Sequence, residues 1–537
     1  MEKSLRYFID TYQREVEPLE REKHTAYFDA AVTGDIKHYK QYEVLEKKHA
    51  SILSNKDAYG FLSAAIKRDA VDDLLLKRQV KVLHHIFQAH QIPDHIQKEM
   101  IELETMVANK FSLFRAEVDG KRLTDNQIEE ILESSADSTE VKSAWDASKM
   151  VGSLVEEDVR RLVTLRNEAA RLLGYDDYHQ MSLQLSELDP AVVQNLFDRL
   201  DAITKKDFQR EKDAIDVFLA EKFGIDVMAL RPWHYQDRFF QEASQVDSLP
   251  LDEWYAGQDL ASLTADFFGG IGLPVDDIIK SSDLFEKPGK NQHAFCIHID
   301  RYGDVRVLCN IKPKWKWMNT MLHEYGHAVY EKYYADDLPF VLREPAHIFA
   351  TEAVAMFFGR LASDPFWMAD MGIIGEEDAS RFANKAQRKL RREQLVFSRW
   401  AQVMYRFEKA MYGNPEQDLN ALWWFLVEKY QGLTPPEDKH IPHWASKIHV
   451  ATAPCYYHNY LLGELLASQF DAWLADKVAG PGKGGRHRYV SNTQIGDFFR
   501  DRVFAPGARL PWNEMITAAT GGALDPRYYA EQFTTEQ

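Results

Sequence analysis

Three cysteines in 537 residues, Cys296, Cys309 and Cys455, cannot staple a chain of this length, so a disulfide-built scaffold is excluded. Long apolar runs are missing as well. Residues 346–358 form the most apolar stretch, and it is too short to span a bilayer. The opening Met1-Glu-Lys-Ser-Leu-Arg-Tyr-Phe-Ile-Asp10 has no apolar signal core, and the final Phe-Thr-Thr-Glu-Gln537 carries no lipidation motif. Basic residues are the minority: 65 Lys and Arg against 83 Asp and Glu leave a formal net charge of −18, which disfavours a general nucleic-acid binder. No fixed-period repeat is evident. These absences lead to the expectation of a cytoplasmic protein that binds neither membrane nor nucleic acid. With 45% hydrophobic and 28% charged residues, the composition is that of an ordinary globular chain.

Most of the first 230 residues read as helix. In residues 158–173, Leu162, Leu165, Ala169 and Leu172 recur at spacings of 3, 4 and 3, with Asp158 placed to cap the helix and Gly174 to close it. Residues 7–17, ended by Pro18, and residues 72–89 repeat the amphipathic pattern. The one clear β signal is a hairpin, with residues 293–300 and 305–311 flanking Arg301-Tyr-Gly-Asp304. Gly480-Pro-Gly-Lys-Gly-Gly-Arg486 has no Ser or Thr after its lysine, so it fails as a phosphate-binding loop and reads as a surface loop. The basic run Arg388-Lys-Leu-Arg-Arg392 reads as a solvated helix face.

One motif carries chemistry: His323-Glu324-Tyr325-Gly326-His327. Around it Met318, Leu322, Tyr325 and Val329 keep the beat of a helix with one buried face. Residues four apart lie about 40° apart around a helix, so both imidazoles project together and can offer two nitrogens to one zinc ion. Glu324 points beside the metal and can serve as base on its water. Gly326 is a poor helix former, and such a glycine signals close approach by a neighbour or a packing need. Catalytic zinc takes three protein ligands as a rule. Glu352 is the candidate third. It is the lone carboxylate near the start of an almost wholly apolar helix, residues 346–362, opened by Pro345 and ended by Asp364-Pro365. A carboxylate buried there needs a cation. His440, His443, Cys455 and His458 invite a second metal site. Structural zinc sites usually hold at least two cysteines, and one is present, so solvent or core roles are expected.

His323-Glu-Tyr-Gly-His327, Asp337-Leu-Pro-Phe-Val-Leu-Arg-Glu344 and Thr351-Glu352-Ala353 together resemble the active-site core of the angiotensin-converting-enzyme family. Those are gluzincin metallopeptidases, relatives of thimet oligopeptidase and oligoendopeptidase F. The resemblance continues in Leu422-Trp-Trp424, in Lys429-Tyr-Gln-Gly-Leu-Thr-Pro-Pro436 and, upstream, in Leu165-Arg-Asn-Glu-Ala-Ala-Arg171 with Gly174-Tyr-Asp-Asp-Tyr178. It implies a mainly α fold, two helical halves flanking a deep substrate cleft, with a small antiparallel sheet beside the zinc site. In sequence, residues 1–290 would form an N-terminal helical region that includes cleft-covering helices, and residues 291–537 the zinc-binding catalytic region. The halves themselves are expected to be discontinuous.

The resemblance also implies roles. One zinc ion per chain would be held by His323, His327 and Glu352, with Glu324 as base and then acid. His293 and Ala294 match a His-Ala pair on a strand that binds substrate backbone. Lys447-Ile-His449 matches a motif whose lysine holds the substrate's C-terminal carboxylate and whose histidine steadies the transition state. Tyr460 matches an oxyanion-stabilising tyrosine, and Tyr457 and Gln236 match further carboxylate binders. Two departures stand out. Met356 replaces an aspartate that orients a zinc histidine, and Asn459 replaces a chloride-binding arginine. The expected activity is hydrolysis of short peptides with release of C-terminal dipeptides. The alternatives are an oligoendopeptidase and an inactive peptide-binding relative, against which an intact Glu324 argues.

Overall fold

The computed structural model describes all residues except 70, 245, 248, 439, 480–488 and 534–537. The Gly480–Arg486 segment lies outside the described residues. Helices hold 71% of the chain, and the sheets among the described residues are two antiparallel strand pairs, so the fold is mainly α. No helix among the described residues is long and apolar enough to cross a membrane. The chain divides into two compact units interleaved in sequence. The first comprises Met1–Gln91, Leu249–Gln387 and Leu462–Tyr529; the second comprises Ile92–Ser248, Arg388–Leu461 and Ala530–Gln537.

The first unit carries the His-Glu-x-x-His motif on the helix Trp315–Lys332. Its inner face buries Met318, Leu322, Tyr325 and Val329, the residues whose spacing marks the helix in the sequence. It packs on the helix Ile348–Gly359, which starts at His347, whose side chain accepts from the backbone N–H of Phe349, and ends in a 3-10 turn, Arg360–Ser363. Phe268 and Phe358 stand 5.0 Å apart edge to face, and Phe358 and Phe499 lie 5.2 Å apart, which fixes the second helix in an aromatic core. Beside the motif helix lies the hairpin. Phe295–His298 pairs with Val305–Leu308, Cys296 opposite Val307, and Arg301 and Gly303 turn the chain at positive φ.

Two boundaries differ from the sequence reading. The first helix, Glu2–Thr33, runs through Pro18 rather than ending there. An internal proline costs about 3 kcal/mol. Leu5, Ile9, Tyr12 and Val16 before it, and Leu19, Ala26 and Phe28 after it, are all buried and offset that cost. Asp158 is not a cap. It lies inside the second unit's helix Ser138–Leu172, which Asp137 caps, and pairs with Lys110 at 2.5 Å.

The second unit is built on that helix and on Pro190–Phe223, with Leu419–Gln431. Arg166 and Asn167, each 1% exposed, tie the unit together: Arg166 reaches Glu104 at 2.7 Å, and Asn167 donates to the Tyr412 carbonyl at 2.8 Å. The basic run is a solvated face only at its start, where Arg388 is exposed. Arg391 and Arg392 are buried, and Arg392 is held between Glu211 at 3.1 Å and Asp247 at 3.0 Å. Burial with two carboxylates explains how a basic run can serve the interior.

Candidate metal centre and a buried lysine cluster

On the motif helix, His323 Nε2 and His327 Nε2 lie 3.3 Å apart. Glu352 Oε2, from the packed helix, faces them at 3.8 and 4.0 Å. Ligand atoms of all three lie within 4.8 Å of one another, the one such His/Cys/Asp/Glu group among the described residues. A tetrahedral ion with bonds of about 2.0–2.1 Å spaces its ligands about 3.4 Å apart, so the trio fits zinc in both spacing and donor chemistry.

Protonation agrees with that use. Burial depresses His323 to about 4 and His327 well below its ordinary value, the latter helped by His323 beside it. Both imidazoles are therefore neutral, as a metal requires. His327 Nδ1 is hydrogen-bonded to the Thr351 hydroxyl at 2.7 Å. With Nδ1–H donating, Nε2 keeps its lone pair for the ion. Thr351, 4% exposed, thus orients a histidine where Met356 cannot. The signal was present, a hydroxyl one residue before Glu352. Its use depends on how the two helices cross.

Gly326 makes that crossing possible. A Cβ there would sit 2.8 Å from Ala355 Cα and 3.2 Å from Val354 O, so the glycine admits the backbone of the neighbouring helix. Gly463 also lies close to that helix, where a Cβ would be 3.2 Å from Glu352 Cβ and 3.3 Å from Met356 Sδ.

Glu324 is 9% exposed. Burial pushes its carboxyl up to about 8, the charge of Glu352 adds to that, and the backbone N–H of Cys296 opposes it. A divalent cation among the three ligands would favour the carboxylate further. His293 is exposed, its N–H donating to Asn291 Oδ1 at 3.0 Å, and Ala294 directly precedes the strand Phe295–His298.

The second unit gathers another set. Lys447, 9% exposed, donates from Nζ to Gln241 Oε1 at 2.8 Å. The ammonium also lies 5.2 Å from the Phe239 ring centre, 5.4 Å from that of Trp400 and 5.5 Å from that of Tyr457. Burial lowers its pKa to about 8. The His449 ring packs on Tyr457 at 5.2 Å, and Tyr457 on Tyr460 at 5.6 Å. Burial, then the charge of Lys447, brings His449 down to about 4. Gln236 is used elsewhere: its Nε2 donates to the Glu133 carbonyl at 2.7 Å. The glutamine that reaches Lys447 is Gln241, five residues on, which sequence reasoning missed. His443 has a core role, stacked on Trp145 at 5.1 Å and accepting from Trp424 Nε1 at 3.2 Å.

A family model for angiotensin-converting enzyme matches residues 1–206 and 240–529. Gln236 falls in the gap and Gln241 within the match. Among curated proteins, the angiotensin-converting enzyme of Rattus norvegicus is 23% identical over 305 residues, 54% of this chain and 22% of the rat protein. That of Mesocricetus auratus is 24% identical over 285 residues, 50% and 21% of the two chains. That of Mus musculus is 23% identical over 301 residues, 54% and 23%. The chain therefore spans little more than a fifth of the length of these relatives.

Proposed function

The chain belongs to the angiotensin-converting enzyme family of peptidases, and on that premise we propose that it is a zinc-dependent peptidase that releases dipeptides from the C-terminus of short peptides. The observation that carries the reading is the mutual facing of His323 Nε2, His327 Nε2 and Glu352 Oε2, with Glu324 buried beside them. Zinc bound there supplies a Lewis acid that polarises a scissile carbonyl and acidifies water.

The chain's own residues do the rest. Glu324 takes the proton of the attacking water and passes it to the leaving amine nitrogen. The Tyr460 hydroxyl and His449 donate to the oxygen that gains charge as the carbonyl becomes tetrahedral. His293 and Ala294, just before the Phe295–His298 strand, offer main-chain hydrogen bonds to an extended peptide. Lys447 and Tyr457 hold the C-terminal carboxylate, and Gln241, already bonded to Lys447, takes the part first given to Gln236. The joint action of the metal trio and the Lys447 cluster on one peptide rests on the family resemblance.

The test weighs the products released from a free-acid peptide and from its C-terminal amide by the zinc-loaded protein. A charge-assisted hydrogen bond to the carboxylate contributes roughly 1.5–3 kcal/mol, about 10- to 150-fold in kcat/KM. Dipeptides should leave the free acid, and Lys447→Ala should erase most of its advantage. Equal cleavage of both peptides at internal bonds would replace this reading with that of an oligoendopeptidase.

A further inference from the structure

One carboxylate near the metal trio has no part in the chemistry above. Glu331 lies on the motif helix four residues beyond His327, about 6 Å along the axis and about 40° around it. It is half-buried, and its one hydrogen bond among the described residues is the weak one donated by the Cys296 thiol at 3.6 Å. Cys296 itself sits on the strand that follows His293 and Ala294, its backbone N–H turned to Glu324 and its thiol to Glu331. A peptide held at His293 and Ala294 and reaching over the metal ligands would pass Glu331 within about two residues of the scissile bond, at roughly 3.3 Å per residue.

Among the described residues, no lysine or arginine forms an ion pair with Glu331. Arg301, whose charge acts on it, is held by Glu20 at 2.8 and 3.0 Å and by Glu344 at 2.9 Å. Glu324 and Glu344 add like charge. A second group, three residues on, is also unbonded. The Tyr334 hydroxyl, on a residue 6% exposed, has no hydrogen-bond partner among the described residues, although the charges of Glu331 and Glu344 both act on it. A buried hydroxyl left unbonded in the field of a carboxylate can accept from a donor that also bonds to that carboxylate.

We propose that Glu331, with the Tyr334 hydroxyl, forms a specificity pocket for a lysine or arginine side chain of the substrate, within two residues of the scissile bond. The ammonium or guanidinium bonds to the Glu331 carboxylate and to the Tyr334 oxygen. Burial and the neighbouring carboxylates push Glu331 up to about 8, so an arriving cation also relieves the cost of ionising it. The proposal deepens the peptidase reading and rests on it for the position of the peptide.

The experiment is a lysine scan. Otherwise identical free-acid peptides carry lysine, norleucine or glutamate at each position within two residues of the cut, and kcat/KM is measured for each. Lysine should exceed norleucine by about tenfold or more at one position, with glutamate poorest there. Glu331→Gln should bring the lysine peptide down to the norleucine level, and Tyr334→Phe should narrow the gap. A flat scan, or a lysine preference that survives Glu331→Gln, overturns the proposal. Calorimetric binding of the same peptides to the zinc-loaded Glu324→Gln protein separates the two readings. Lysine-selective binding that Glu331→Gln abolishes upholds the pocket even if the parent cleaves nothing.

Discussion

Replacing Gly326 by alanine adds one methyl group where the motif helix meets its neighbour. By helix propensity alone, Gly326→Ala should stabilise the protein by about 1 kcal/mol. The contact acts in the other direction. The new Cβ would lie 2.8 Å from Ala355 Cα, 3.2 Å from Ala355 N and 3.2 Å from Val354 O, all backbone atoms that cannot rotate aside. Relief to an ordinary carbon contact of about 3.5 Å requires the helices to part by roughly 0.7 Å, and such overpacking costs typically 1–3 kcal/mol. The two terms leave a net destabilisation between about 0 and 2 kcal/mol. The larger effect falls on the metal, because His323 and His327 ride on one helix and Glu352 on the other. Misplacement on the scale of 1 Å costs about 100-fold in rate, so peptidase activity should fall 10- to 100-fold while most of the stability remains. Chelator competition for the zinc dissociation constant, run beside thermal unfolding of the metal-free protein, separates the two effects. A Gly326→Ala protein that binds zinc and turns over like the parent would refute the argument that this glycine sets the ligand geometry.

His323→Ala and Glu352→Ala should each lose the single zinc, whereas Glu324→Gln should retain it and lose turnover; full zinc occupancy in Glu352→Ala, by elemental analysis, would remove that residue from the ligand set. Thr351→Val keeps the shape of the side chain but leaves His327 Nδ1 without its acceptor, so zinc should bind about 10- to 100-fold more weakly, read by the same chelator competition. Lys447 is a cation below about pH 8 and loses its charge as pH rises through that value. KM for a free-acid peptide should therefore climb above about pH 8 while KM for the amide stays level, and parallel profiles would exclude Lys447 as the carboxylate partner. Since Asn459 is neutral where the family carries a chloride-binding arginine, exchanging chloride for acetate at constant ionic strength should change hydrolysis little; a saturable chloride activation measured in that series would contradict this.

How much of this was legible in the sequence depends on how far each feature acts along the chain. The motif helix could be read because its register is local. Apolar residues at spacings of 4, 3 and 4 bury one face, and the same turn brings His323 and His327 together. The hairpin was legible for a similar reason, since two short β-rich runs flank a turn that Arg301 and Gly303 close at positive φ. Helix ends were less so. Pro18 and Asp158 are both good local stop or start signals, and both lie inside longer helices whose buried faces outweigh them. The end of the basic run at residues 388–392 misled in the same way, because the carboxylates that neutralise Arg392 come from positions 211 and 247, far off in sequence.

The two glutamines show where the limit lies. Gln236 and Gln241 sit five residues apart in a stretch with neither helical nor strand repeat, and Gln236 and Phe240 both take positive φ. Periodicity says nothing about which side chain turns inward when the backbone reverses twice in so short a span. Gln236 is drawn off to the Glu133 carbonyl, and Gln241 reaches the buried Lys447 ammonium. The ammonium of Lys447, a residue 9% exposed, is ringed by Phe239, Trp400 and Tyr457 and keeps its charge with polar oxygen beside it, which gives the glutamine at 241 a physical reason to be there. Thr351 and Glu331 follow the same rule. Each has a side chain whose use depends on a second element, the motif helix for Thr351 and the Cys296 strand for Glu331, and no pattern within its own helix announces that partner.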